Sequence, residues 1–109
     1  MNLAKSLRLK GLIAGGFVPA GAVYDKLGNP AVLDSEGLVS FYGSSPSSLT
    51  ASASEHNFVV NNSSVKKNGW YYWHVDVNGE LVPLHEFRQH FHDTVLLKRL
   101  RFALDFNAK

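Results

Sequence analysis

The sequence predicts an α+β domain: a small antiparallel sheet packed against about three helices, with a long C-terminal helix. Three observations predict it. The stretch Trp70 to Val77, bracketed by Asn68-Gly69 and Asn78-Gly79, is almost all β formers with alternating character. Residues 3–14 and 84–105 carry apolar side chains at helical spacing. The strand-like and helix-like stretches do not alternate as βαβ units, which points to antiparallel pairing.

From the N-terminus, Leu3, Leu7, Leu9, Leu12 and Ile13 suggest a helix stopped by Gly15-Gly16 through a left-handed C-cap. Ala22 to Asp25, Ala31 to Leu33 and Leu38 to Tyr42 are short β-prone runs separated by turn formers, and are expected to form a three-stranded meander. Ser45-Pro46-Ser47 reads as a helix start, because a Ser hydroxyl accepts from free amides and Pro loses no needed donor there. That helix is expected over 46–55, followed by a surface loop over 56–67, where Asn57, Asn61, Asn62, Ser63 and Ser64 break any period. In the Trp70–Val77 strand, Tyr71, Trp73, Val75 and Val77 would face the core and Trp70, Tyr72, His74 and Asp76 a half-wet surface. In the last helix, Leu84, Phe87, Phe91, Val95, Phe102 and Phe106 fall in one narrow arc, and Leu97, Leu100 and Leu104 on another side.

The chain has 109 residues, 45% of them apolar and 18% charged, which fits one domain and excludes a multidomain enzyme. Two Trp, four Tyr and seven Phe can supply its core without staples. Zero Cys excludes a disulfide scaffold, thiolate metal sites and thiol catalysis, and agrees with an intracellular location. The net charge of +2 is too mild to announce a nucleic-acid partner, although the cations cluster near both ends. Gly11 to Val23 has a faint likeness to a secretory signal, set aside because it holds four Gly and a Pro. No run approaches the ~20 apolar residues of a membrane span.

His85, His90 and His92 invite a metal reading, but on a helix His85 and His92 stand about 10 Å apart along the axis and His90 points elsewhere. No metal or other cofactor is expected. Neither a nucleophile elbow nor a phosphate-cradling glycine loop is present, so the chain reads as a non-enzyme. The Trp70-Tyr71-Tyr72-Trp73 cluster has two readings: rings filling both sides of a packed strand, or a stacking surface for exposed bases, with Lys66, Lys67 and Arg88 to meet phosphates. Composition does not separate them.

The ordered motifs resemble the RAMA domain, the restriction enzyme and adenine methylase associated module. They run from Leu12-Ile13-Ala14-Gly15-Gly16 through Gly28-Asn29-Pro30, Asp34-Ser35-Glu36-Gly37-Leu38 and Ser45-Pro46-Ser47 to Asn68-Gly69-Trp70 with Tyr72-Trp73, and close on Leu84 and Arg88. The likeness spans residues 9–88. The loop before Asn68 is longer than the family's, and the helix after Arg88 runs further. The resemblance implies a non-catalytic module that recognises methylated or otherwise modified bases in DNA, usually attached to a nuclease, methylase or deubiquitinase. Carried onto this chain, it implicates Asn68, Gly69, Trp70, Tyr72 and Trp73, with Ser45 and Ser47 at a helix N-terminus able to hold a phosphate. With Lys66, Lys67 and Arg88, these form the expected DNA-binding set.

A reading from another class makes the aromatic strand core and the Leu97, Leu100, Leu104 stripe a weak self-association or parent-domain contact.

Overall fold

The computed structural model describes residues 8–96. Among these, four α-helices and a five-stranded antiparallel sheet make an α+β fold, with strands in the order β3-β2-β1-β4-β5. Helix α1 (Leu9–Ala14) ends as the glycine pair predicts. Gly16 takes φ +80, its N–H donates to Ile13 O and that of Phe17 to Leu12 O, which closes the orphan carbonyls in a Schellman motif. Leu3 and Leu7 lie outside the described residues.

Strands β1 (Gly21–Tyr24), β2 (Pro30–Leu33) and β3 (Val39–Ser40) form the expected meander. Register pairs Val23 with Ala31, Gly21 with Leu33 and Leu33 with Val39, so Val23, Ala31, Leu33 and Val39 share the buried face. On the other face Ala22 and Val32 are exposed, so helices cover the sheet on one side.

Helix α2 spans Leu49–Asn61 and corrects two expectations. Its cap is Ser48, whose hydroxyl accepts from Ala51 N at 3.2 Å, not Ser45 or Ser47. Ser47 instead exchanges both backbone hydrogen bonds with Val39 and shields the open edge of β3. The helix also continues six residues past Glu55, through part of the expected loop, to Asn62, which takes the left-handed φ of 52 at its end. Asn57 and Asn61 do not break it because their amides bond elsewhere: Asn57 Nδ2 donates to Val65 O at 3.1 Å, and Asn61 Nδ2 to Asp25 Oδ2 at 3.1 Å.

The largest departure is at the aromatic cluster. Residues Gly69–Tyr72 form a single helical turn, α3, and only His74–Val77 is strand, β4. Asn68-Gly69 is therefore not a primed hairpin turn. Asn68 caps α3 through Oδ1, which accepts from Trp70 N at 3.0 Å. Gly69 is required for space: a Cβ there would stand 2.3 Å from Leu49 O and 2.4 Å from Leu49 C. Tyr71 and Val77, expected in the core, are consequently exposed, while Trp73 is fully buried and Trp70 half-buried. Trp73 Nε1 donates to Leu49 O and to Ser52 Oγ, both at 3.2 Å.

Asn78-Gly79 behaves as the sequence expects, with φ of 53 and 89, and joins β4 to β5 (Glu80–Pro83). Helix α4 (Leu84–Phe91) buries Leu84 and Phe91, with Phe87 packed against the same core and Phe17 edge-on to Phe91 at 4.6 Å. A π turn, His92–Leu96, follows in place of a continuing α-helix. The rest of the expected long helix, with Phe102, Phe106 and the Leu97, Leu100, Leu104 stripe, lies outside the described residues. Among the described residues no helix is long and apolar enough to cross a membrane.

Gly69→Ala should destabilise the fold by about 1–3 kcal/mol, since the new methyl meets helix backbone and not a flexible side chain. Trp73→Ala should cost about 3–5 kcal/mol. Denaturant midpoints of the two variants check both values, and a Gly69→Ala chain as stable as the parent would refute the close approach.

Candidate functional site

Where the β1–β2 turn, the C-terminal half of α2 and α3 converge, a pocket of about 500 Å³ opens to solvent. Its floor is polar. Asp25 follows β1 at the start of the β1–β2 turn and is 1% exposed, yet all its lone-pair directions are used. Oδ1 accepts from Leu27 N and Asn29 N at 2.9 Å, and Oδ2 from Asn29 Nδ2 at 2.8 Å and Asn61 Nδ2 at 3.1 Å. Burial pushes this carboxyl up, but the bonds from Asn29, Asn61 and Leu27 outweigh it and hold the group below its ordinary 3.8. The site therefore holds a carboxylate whose charge is already matched by donors.

Above Asp25 the Tyr72 hydroxyl stands 2.5 Å from His56 Nδ1 and 3.5 Å from Asn61 Nδ2. Asn61 can only donate from that atom, so the phenol oxygen accepts from it and turns its own proton to His56 Nδ1. Burial drives His56 below its ordinary 6.5, against the opposing pull of the Asp25 charge and the Pro30 backbone. Burial, with the Asp25 charge acting in the same direction, raises the Tyr72 phenol well above its ordinary 10. Phe41, Tyr72 and Trp73 surround the His56 ring edge-on, at centroid distances of 4.9, 5.6 and 4.8 Å. His56 and Tyr72 are thus neutral and fixed.

The wall comes from α3 and β4. Tyr71 is 55% exposed, with one ring face stacked on His85 at 4.5 Å and 24°. His74 Nδ1 lies 2.9 Å from Tyr72 O, and a carbonyl can only accept, so a proton sits on Nδ1, and in that tautomer Nε2 is the acceptor. Lys26 and Lys67 complete the lining with Leu27, which is 72% exposed.

The expected DNA-binding residues divide among several places. Lys67, Asn68 and Tyr72 line the pocket. Trp70 lies beside it with the Arg88 guanidinium over its ring, 4.1 Å from the centroid, so that face is already occupied by a cation. Lys66 borders a shallow groove against α2. Gly69 and Trp73 are buried and shape the scaffold. Ser45 is exposed ahead of the helix, and Ser47 has its amide tied to Val39, so neither supplies free helix N-terminal donors. Sequence reasoning missed Asp25, Asn57 and Asn61; it counted Tyr71 in the aromatic cluster but on the core face, and put His74 on the half-wet face without giving it a role. The one available signal was the Asn57–Asn61 spacing of four, which puts both amides on one side of a helix only if the helix reaches that far. Among the described residues no three His, Asp or Glu side chains gather as a metal site would require.

The neutral His56 sets the pH dependence of stability. Unfolded, it titrates near 6.5; folded, its affinity for a proton is lower. Just below pH 6.5 the unfolded chain binds more protons, so unfolding free energy rises with pH there. Stability should be full above pH 6.5 and fall as pH drops through and below it, with a further fall from Asp25 below pH 3.8. Urea midpoints between pH 8 and 5 should show the first decline, and His56→Gln should flatten it.

Compared with protein-family models and with curated proteins, the chain matches neither.

Proposed function

We propose that the chain is a non-catalytic DNA-binding module that recognises modified bases, as its resemblance to the RAMA domain implies. The observation that carries this reading is the concave site lined by Lys67, Asn68 and Tyr72, with Lys26 beside them and Tyr71 as an aromatic wall. Cations for phosphates, flat rings for bases and amide or imidazole groups for base edges are the ingredients such a reader needs. The floor is compatible with it: the Asp25 carboxylate keeps its charge, but it is buried with every lone pair taken by amide donors, and Lys26 and Lys67 stand in the same lining. Trp70 and Arg88 are proposed as a cationic flank, and Gly69 and Trp73 as its support.

Binding should be weak and salt-dependent. With Lys26, Lys66 and Lys67 as phosphate partners, the log–log salt slope should be about −3, and a Lys66→Ala, Lys67→Ala double variant should reduce it by about two. Burying one added methyl contributes about 0.8 kcal/mol, about fourfold in affinity. Titrations against unmodified, N6-methyladenine and 5-methylcytosine duplexes at two salt concentrations measure both. No binding to any of them at low salt would falsify the proposal.

A further inference from the structure

Three features of the pocket, taken together, define the shape and polarity of its occupant. First, the free stacking surface is Tyr71. Its one face is against His85, its opposite face is uncovered, and at 55% exposed it has room for a second planar ring. Trp70, the larger ring, has Arg88 on a face and is not among the pocket's lining residues. Second, acceptors outnumber spare carboxylate charge. His74 Nε2 is an acceptor because Nδ1 is committed to Tyr72 O, and Asn61 Oδ1 is the free end of an amide whose Nδ2 bonds Asp25 and Asn57. Among the described residues neither atom has a partner. Third, the volume of about 500 Å³ suits one or two rings and not a duplex.

We infer that the pocket takes a single nucleobase swung out of its stack, lying on the free face of Tyr71 and donating its exocyclic amine to His74 Nε2 or Asn61 Oδ1. This rests on the DNA-binding proposal for its source of bases. An aromatic wall for the base face and fixed acceptors for its edge are how an extruded base is held. Adenine and cytosine carry such an amine, and a singly methylated amine keeps one N–H. Thymine has none. The Asp25 carboxylate beneath already accepts from Leu27, Asn29 and Asn61 on both oxygens, so it does not compete for that amine proton.

The test compares duplexes in which one adenine faces either thymine or an abasic site, titrated with the full chain at low salt. Extruding an unpaired base avoids most of the unpairing cost, so the abasic duplex should bind about tenfold tighter. Tyr71→Ala should abolish that preference, and Tyr71→Phe should restore it. Because Tyr71 is an exposed side chain, both variants should melt within a few degrees of the parent, which a thermal scan checks. Replacing the unpaired adenine by thymine should lose the gain.

Equal affinity for both duplexes, or a preference that survives Tyr71→Ala, overturns the inference while DNA binding stands. Thymine binding as well as adenine overturns the amine contact. Should no duplex bind, the DNA-binding proposal fails by itself. Titration with free adenosine, followed by side-chain NMR of Tyr71 and His74, then decides the pocket. Shifts at both residues support a nucleobase site filled from solution, and their absence overturns it.

Discussion

The contact on which the structure depends is the one between the first turn of α2 and the Asn68–Trp73 segment. Leu49 O accepts from Ser52 Oγ at 3.0 Å and from the Trp73 indole at 3.2 Å, while Gly69 sits against the same carbonyl with no room for a methyl. Gly69 N also donates to Thr50 Oγ1 at 3.1 Å. An indole buried without that acceptor would leave its N–H desolvated and unpaired, at a cost of about 1–3 kcal/mol. Three positions of the segment are thereby explained: Asn68 is the cap, Gly69 the gap and Trp73, four residues after it, the anchor. By fixing α3 against α2, it sets Tyr71 outward and Tyr72 inward, which makes the pocket.

A second constraint runs through polar atoms. Asp25 belongs to the β1–β2 turn, Asn61 to α2 and Tyr72 to α3, and one Asn61 nitrogen reaches both of the others. The group that rigidifies the hairpin turn also rigidifies the end of the helix. Such a network is stabilising only when every member is paired, and here each described donor in the chain from His56 to Asp25 has its acceptor.

Local signals were legible where local forces decide. Gly15-Gly16 closes α1, Asn78-Gly79 turns the hairpin, and Leu84, Phe87 and Phe91 face the core, because each depends on neighbours within about four residues. The same dipeptide at Asn68-Gly69 behaves differently because Leu49, twenty positions away, fixes what Gly69 must do. Asn57 and Asn61 looked like loop residues because amides that compete with the backbone favour loops, and only tertiary acceptors at Val65 and Asp25 reverse that. The pocket was illegible for the same reason. Tyr71 was assigned to the core face by a period of two that starts only after Trp73, and a helical turn the pattern did not reveal sets it outward; His74, inside β4, was expected on a half-wet face and is half-buried.

The sheet is a three-stranded meander and a hairpin meeting at a narrow join, where Tyr24 pairs with His74, one residue from Asp25 on one side and two from Tyr72 on the other. The pocket straddles that join. Amides on either side of it should therefore exchange with solvent through local opening before those within the meander or the hairpin, since fewer ladder bonds hold them. Whatever fills the pocket touches the meander and the hairpin at once and closes the join as a clasp does, slowing that exchange by mass action as its concentration rises above its dissociation constant. Filling the pocket and holding the two halves together are, in this architecture, the same event.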